Sequence, residues 1–238
     1  MERGEVCNNK LIQILNIKDQ KVIIIKENHL AEAQFIIPHL LVKILNQSYS
    51  EICFVTLHKP LQHYKTCCKK LGYKLVENNR IFCIENFHEI IFELDETPKE
   101  ELSEHIVKEF LKQVMSILNQ LNRERYLIID DITHLLDLGI EIKHIMNLVN
   151  MLINMNITCI FGTHKSEEKK DEIVSNYLER ISDIVFQVSP LKTGRSEAVS
   201  GFLHVLRQDN LKNEMYHYKT NENNVEVFEP GETYKYLK

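Results

Sequence analysis

Apolar residues in this chain gather in short runs separated by amphipathic stretches, and the two kinds of segment alternate. Lys21-Val-Ile-Ile-Ile-Lys26 is β-branched, bounded by polar residues and too short for a helix, so it reads as a buried strand. A helix is expected over 30–45, with apolar positions 35, 36, 40, 41, 44 and 45 on one face and Pro38 as an early interruption or kink. Glu51–Leu57 is a second strand, Leu61–Leu71 a helix that stops at Gly72, and Arg80–Ile84 a third strand. Thr97, Pro98 and Glu100 form a capping box with proline at the first helical position. The helix they open carries one apolar stripe through positions 102, 106, 107, 110, 111, 114, 118 and 121.

Beyond it, Tyr126-Leu-Ile-Ile is a strand that stops at Asp130-Asp131. A helix follows over 141–155, then a strand over 157–164, a polar helix or loop over 166–178, and a strand over 183–188. Such alternation predicts a parallel sheet covered on both faces. The last third changes character: 201–208, 214–219 and 225–228 are strand-like with no helix between them, and Asn221–Asn224 has the composition of a hairpin turn. The expected architecture is therefore α/β, mostly parallel, with antiparallel C-terminal strands. All 238 residues fit one domain, with residues 1–20 set apart as a flexible N-terminal segment.

Composition narrows the functions this frame can have. No apolar run approaches the roughly 20 residues of a membrane span. The N-terminus lacks the features of a signal or transit peptide, so a cytoplasmic and nuclear location is expected. Glycine is scarce, 7 of 238 residues, which leaves little with which to build a phosphate-cradling loop. The net charge of −5 disfavours nucleic-acid binding by the chain alone. The 6 cysteines show no C-x-x-C and no zinc spacing, so reduced thiols and no structural metal are expected.

A first strand leading into a helix, and a later apolar strand ending in Asp, is the frame of P-loop nucleotide hydrolysis. The loop itself is missing. After Lys26 the chain reads Glu-Asn-His-Leu-Ala-Glu-Ala-Gln, with no glycine between Gly4 and Gly72 and no lysine before Lys43. Glu27 and Glu32 would repel a phosphate there. Asp130 and Asp131 can be read as a degenerate Walker B end, and the simpler reading is structural: Asp131 caps the next segment and Asp130 ties neighbouring strand ends. The histidines fall at no metal-binding spacing, no nucleophile turn is present, and neither a catalytic residue nor a cofactor is expected. Two basic stretches remain, Lys165 with Lys169 and Lys170, and Lys192 with Arg195; the simpler reading is solvated loops, and the functional one is weak phosphate contact.

Three segments in order resemble a known family. They are Ile52–Leu57 with Gln62-His63-Tyr64 and Lys70-Leu71-Gly72; Tyr126–Gly139, which includes Asp-Asp-Ile-Thr-His-Leu-Leu-Asp-Leu-Gly; and Asn156–His164. Together they resemble the Elongator complex protein 6 family of RecA-like Elongator subunits, over roughly residues 20–190. The resemblance implies a RecA-like fold without Walker residues. It further implies a heterohexameric ring with Elongator subunits 4 and 5, two copies of each, partnered with the catalytic Elongator subcomplex. Such a ring binds tRNA and serves wobble-uridine modification, with Lys165, Lys169, Lys170, Lys192 and Arg195 as tRNA-facing loop candidates. The rival expectations are an active ATPase with an unusual phosphate loop and an autonomous RNA-binding domain.

Overall fold

In the computed structural model the described residues are 10–28, 30–47, 49–73, 79–85, 87, 99–165, 168–191, 196–208 and 212–232. Nine strands form one sheet in the order β3-β2-β4-β5-β1-β6-β7-β8-β9. They are β1 Val22–Asn28, β2 Ser50–Val55, β3 Ile81–Ile84, β4 Glu124–Ile129, β5 Thr158–Lys165, β6 Ile184–Ser189, β7 Gly201–Arg207, β8 Lys212–Thr220 and β9 Val225–Phe228. Strands β1 to β6 pair in parallel. The junction of β6 with β7, and those beyond, are antiparallel.

Uninterrupted apolar runs are what a sheet buried on both faces requires, since successive side chains point to opposite sides. Ile23 and Ile25 of β1, Ile52 and Phe54 of β2, and Tyr126 and Ile128 of β4 join one core. Their neighbours Val22 and Ile24, Cys53 and Val55, and Leu127 and Ile129 join the other. The first core is covered by α1 (Lys10–Ile14), α2 (Ile36–Leu45) and α3 (Leu61–Lys70). The second is covered by α4 (Lys99–Leu118), α6 (Ile142–Ile153) and α7 (Lys169–Ile181). A one-turn helix, α5 (His134–Asp137), follows β4. Among the described residues no helix is long and apolar enough to cross a membrane.

Two segments differ from the sequence reading, and a third, left open there between helix and loop, is a helix. The helix expected over 30–45 begins only at Ile36, because residues 30–35 form a loop that closes on Glu27, described below. Pro38 then falls in the first turn, where an N–H has no intrahelical acceptor to lose. The N-terminal segment read as flexible is ordered from Lys10 on: Leu11, Leu15 and Ile17 are buried. Its helix is tied down at the C-terminal end by cations, with Arg207 donating to the carbonyls of Ile14 and Asn16 and Lys43 to that of Ile12. The polar stretch 166–178 resolves as α7, with Val174 and Leu178 inward. The capping box of Thr97, Pro98 and Glu100 lies outside the residues whose side chains are described.

Gly72 and Gly139 take positive φ, 77° and 83°, directly after α3 and α5, the left-handed residue with which helices commonly end. Gly162 is required for a different reason: a Cβ there would lie 1.7 Å from the carbonyl oxygen of Asp130. Strands β4 and β5 meet over that hydrogen atom. Gly162→Ala is expected to lower stability by about 3 kcal/mol, whereas Gly139→Ala, with open space around it and only its φ to strain, loses about 1 kcal/mol. Urea denaturation of the two variants separates these outcomes.

Candidate functional site

Strand β1 lies between β5 and β6, yet the chain leaves it for β2, on the far side of β5 and β4. Such a reversal opens a crevice at the carboxyl ends of the strands, where ligands of open α/β sheets bind. Four strand ends supply its polar groups: Glu27 from β1, His58 and Lys59 after β2, Asp130 and Asp131 after β4, and His164 on β5.

Asp130 is 6% exposed and gathers donors from three places. Its carboxylate accepts the backbone N–H of Leu57 at 2.7 Å, of His58 at 3.2 Å, of Lys59 at 3.1 Å and of Asp131 at 2.8 Å. It also accepts the hydroxyl of Tyr64, on α3, at 2.9 Å. Burial pushes its carboxyl upward, the converging donors pull it back, and burial is the larger effect. The turn from β2 into α3 is thus wrapped around one side chain.

Asp131, 4% exposed, serves the other side. Its Oδ1 accepts the backbone N–H of Thr133 at 3.0 Å and the Thr133 hydroxyl at 2.5 Å, and its Oδ2 accepts Nδ1–H of His164 at 2.5 Å. The backbone N–H of His164 donates to the Thr133 hydroxyl in turn, and His164 Nε2 stands 3.7 Å from the carboxylate of buried Asp171 on α7. The hydrogen bond to Asp131 dominates and raises His164 to about 9, so the ring is a cation at neutral pH. Ends of β4, β5 and α7 are joined through that one imidazolium.

At the end of β1, where a phosphate loop would begin, the Glu27 carboxyl accepts the backbone N–H of Ala33 at 2.6 Å. Burial lifts this carboxyl to about 7. Lys26 beside it pairs with Glu179 of α7 at 2.8 Å. The loop over 30–35 therefore closes around a side chain of its own chain. The gap enclosed beneath it, about 20 Å³, holds no more than about one water. Outside lies an open depression of about 380 Å³, rimmed by Glu27, Glu32, Lys59, Asp137 and Lys165. Glu27, Glu32 and Asp137 on its rim suit cations or backbone amides better than a phosphate. No group of three His, Cys, Asp or Glu among the described residues could hold a metal ion.

Of the basic candidates, Lys165 and Lys170 line different depressions. Lys165 pairs with Glu172 at 3.3 Å on the rim of the one beside Glu27. Lys170 lines the other, beside Gly139 and Lys143. Lys169 and Lys170 open α7, next in sequence to Glu168, Asp171 and Glu172. Lys192 and Arg195 lie outside the described residues. The five described cysteines are free thiols, and burial pushes Cys53, Cys68, Cys83 and Cys159 up to about 12, far from a reactive thiolate. The sequence reading missed the roles of Glu27, Tyr64 and His164. Ile129 pairs with Phe161, and that register brings the residues that end β4 and β5 together.

Two solved structures share the fold. The KaiC-like protein PH0186 from the hyperthermophilic archaeon Pyrococcus horikoshii OT3 superposes with a TM-score of 0.60 at 14% identity, over 87% of this chain and 89% of that one. The uncharacterized protein PH0321 from Pyrococcus horikoshii, solved in complex with an unknown peptide, gives 0.54 at 16% identity, over 90% and 94%. At such identities the likeness is one of fold, and it defines the class: a RecA-like domain, here with its own carboxyl where a phosphate loop would close. No curated protein matches the chain by sequence. The sequence profile of the Elongation complex protein 6 family matches residues 8–225. The chain belongs to that family and is a RecA-like Elongator subunit.

The raised groups fix the sign of a pH dependence. His164 keeps its proton in the fold up to about 9 instead of 6.5, so its contribution is complete below about pH 6.5 and is lost as pH rises towards 9. Glu27 is raised from 4.5 to about 7, so stability also falls as pH rises across that window, where the unfolded chain has already lost the proton. Denaturation from pH 4 to 10 is expected to show both limbs. His164→Gln flattens the alkaline one and costs about 2 kcal/mol at pH 6, and Glu27→Gln flattens the acidic one.

Proposed function

We propose that the chain is a non-catalytic scaffold subunit of a heterohexameric RecA-like ring built with Elongator subunits 4 and 5, two copies of each. In this reading the assembled ring binds tRNA, serves wobble-uridine modification by the catalytic Elongator subcomplex, and works in cytoplasm and nucleus. The observation that carries the non-catalytic part is the Glu27 contact to the Ala33 N–H at 2.6 Å. The amide that would face a phosphate already faces a carboxyl. Asp130 and Asp131 support the same reading, because their oxygens already accept donors from Leu57, Lys59, Tyr64, Thr133 and His164. What remains useful in such a domain is its surface, and family membership supplies the assembly in which that surface works.

Native mass spectrometry of the chain co-expressed with Elongator subunits 4 and 5 tests the proposal. The expected species contains two copies of each subunit, and the chain alone self-associates or precipitates, since faces meant for neighbours stay open. A well-behaved monomer in both samples contradicts it.

A further inference from the structure

Positive charge in this chain is not evenly spread. Between Glu51 and Glu77 the sequence holds lysines at 59, 65, 69, 70 and 74 and no Asp or Glu, within a protein of net charge −5. Most of this stretch is the turn after β2 and helix α3. The helix turns Tyr64 and Cys68 into the core and leaves Gln62, Lys65, Thr66, Lys69 and Lys70 exposed. Lys65 and Lys69 are one turn apart, about 6 Å of rise. Lys59, half-buried and just before the helix, lies on the rim of the crevice.

Several lysines elsewhere pair with acids: Lys108 with Glu104, Lys112 with Glu109, Lys143 with Glu141 and Lys165 with Glu172. None of the α3 set forms an ion pair with a described residue. Glu85 accepts the Leu61 N–H at the start of the helix, the end away from Lys69 and Lys70. A purely local role, complementing the helix dipole, accounts for Lys69 and Lys70 in the last turn. It does not account for Lys59 or Lys65, which lie before that turn.

We infer that the α3 face, Lys59, Lys65, Lys69 and Lys70, is a contact surface for the phosphate backbone of a folded RNA. The inference rests on the proposed tRNA-binding ring and names the surface this subunit gives to it. Charge complementarity favours a polyanion, and the residues between the lysines decide its class. Gln62 and Thr66 are polar, and among the described residues no large apolar side chain is exposed on this face. A protein partner would want aromatic or aliphatic anchors and few lysines at its centre. Phosphate contact wants mobile point charges that release counterions and read no sequence.

The test is tRNA binding to the assembled ring by fluorescence anisotropy from 50 to 200 mM salt. The variant carries Lys59→Ala, Lys65→Ala, Lys69→Ala and Lys70→Ala. Affinity at 50 mM salt is expected to fall about tenfold or more, and the slope of log affinity against log salt to shrink by about 3. A control with Lys108→Ala, Lys112→Ala and Lys143→Ala changes neither. The double variant Lys65→Gln, Lys69→Gln, read the same way, shows about half the loss of slope and guards against misfolding of the quadruple one. Unchanged binding by the α3 variants, or an equal loss in the control, overturns the inference and leaves the ring proposal standing. Variants that fold but fail to enter the ring overturn it in favour of a protein interface. A wild-type ring with no affinity for tRNA removes both readings.

Discussion

A carboxylate buried at the mouth of a parallel sheet survives only if donors converge on it, and the upper half of this molecule is arranged around meeting that demand. Asp130 draws in the turn after β2 and the hydroxyl of Tyr64, and Asp131 draws in Thr133 and His164. Removing either carboxylate would strand several donors at once. Gly162 belongs to the same arrangement, since only a residue without a Cβ lets β5 pass the Asp130 carbonyl. Position and charge at three strand ends follow from those two side chains.

In a nucleotide-hydrolysing relative of this frame, amides after the first strand would grip a phosphate and an acid after the apolar strand would help hold a metal. Here the same geography is closed from within. Glu27 takes the Ala33 amide, Asp130 takes a neighbouring turn, and Asp131 takes a protonated histidine. The sheet keeps its order and its crevice, and the polar groups that line it stabilise the domain. Such a domain can contribute edges, helix faces and a charged surface to a larger assembly without a chemical step of its own.

Most of the frame was legible in the sequence because a doubly covered sheet writes itself as apolar runs, and β1, β2, β4, β5 and β6 fall where those runs lie. The antiparallel end was legible from the lack of helices between its strands and from the turn at Asn221, whose N–H meets the Asn224 carbonyl at 2.8 Å. What could not be read were contacts between distant residues. The late start of α2 depends on the bond from Glu27 to Ala33, and the periodicity of 30–45 carries no trace of it. Helix α1 is only five residues long, too short to show a period, and it is held by Arg207, nearly two hundred residues away. His164 read as one scattered histidine until the pairing of β4 with β5 placed it against Asp131. Lys165 is answered by Glu172 on α7, a pairing that its position at a strand end does not show.

In the proposed reading the crevice at the strand ends is committed to the chain's own groups and takes no nucleotide. Thermal unfolding of the purified ring and of the chain with and without millimolar Mg-ATP tests it most directly, because any ligand bound by the fold alone raises the midpoint by mass action. The account predicts no shift in the transition of this subunit, with Asp131→Asn lowering the midpoint equally in both conditions. A rise of several degrees with Mg-ATP in the chain itself, abolished by Asp131→Asn, would contradict it.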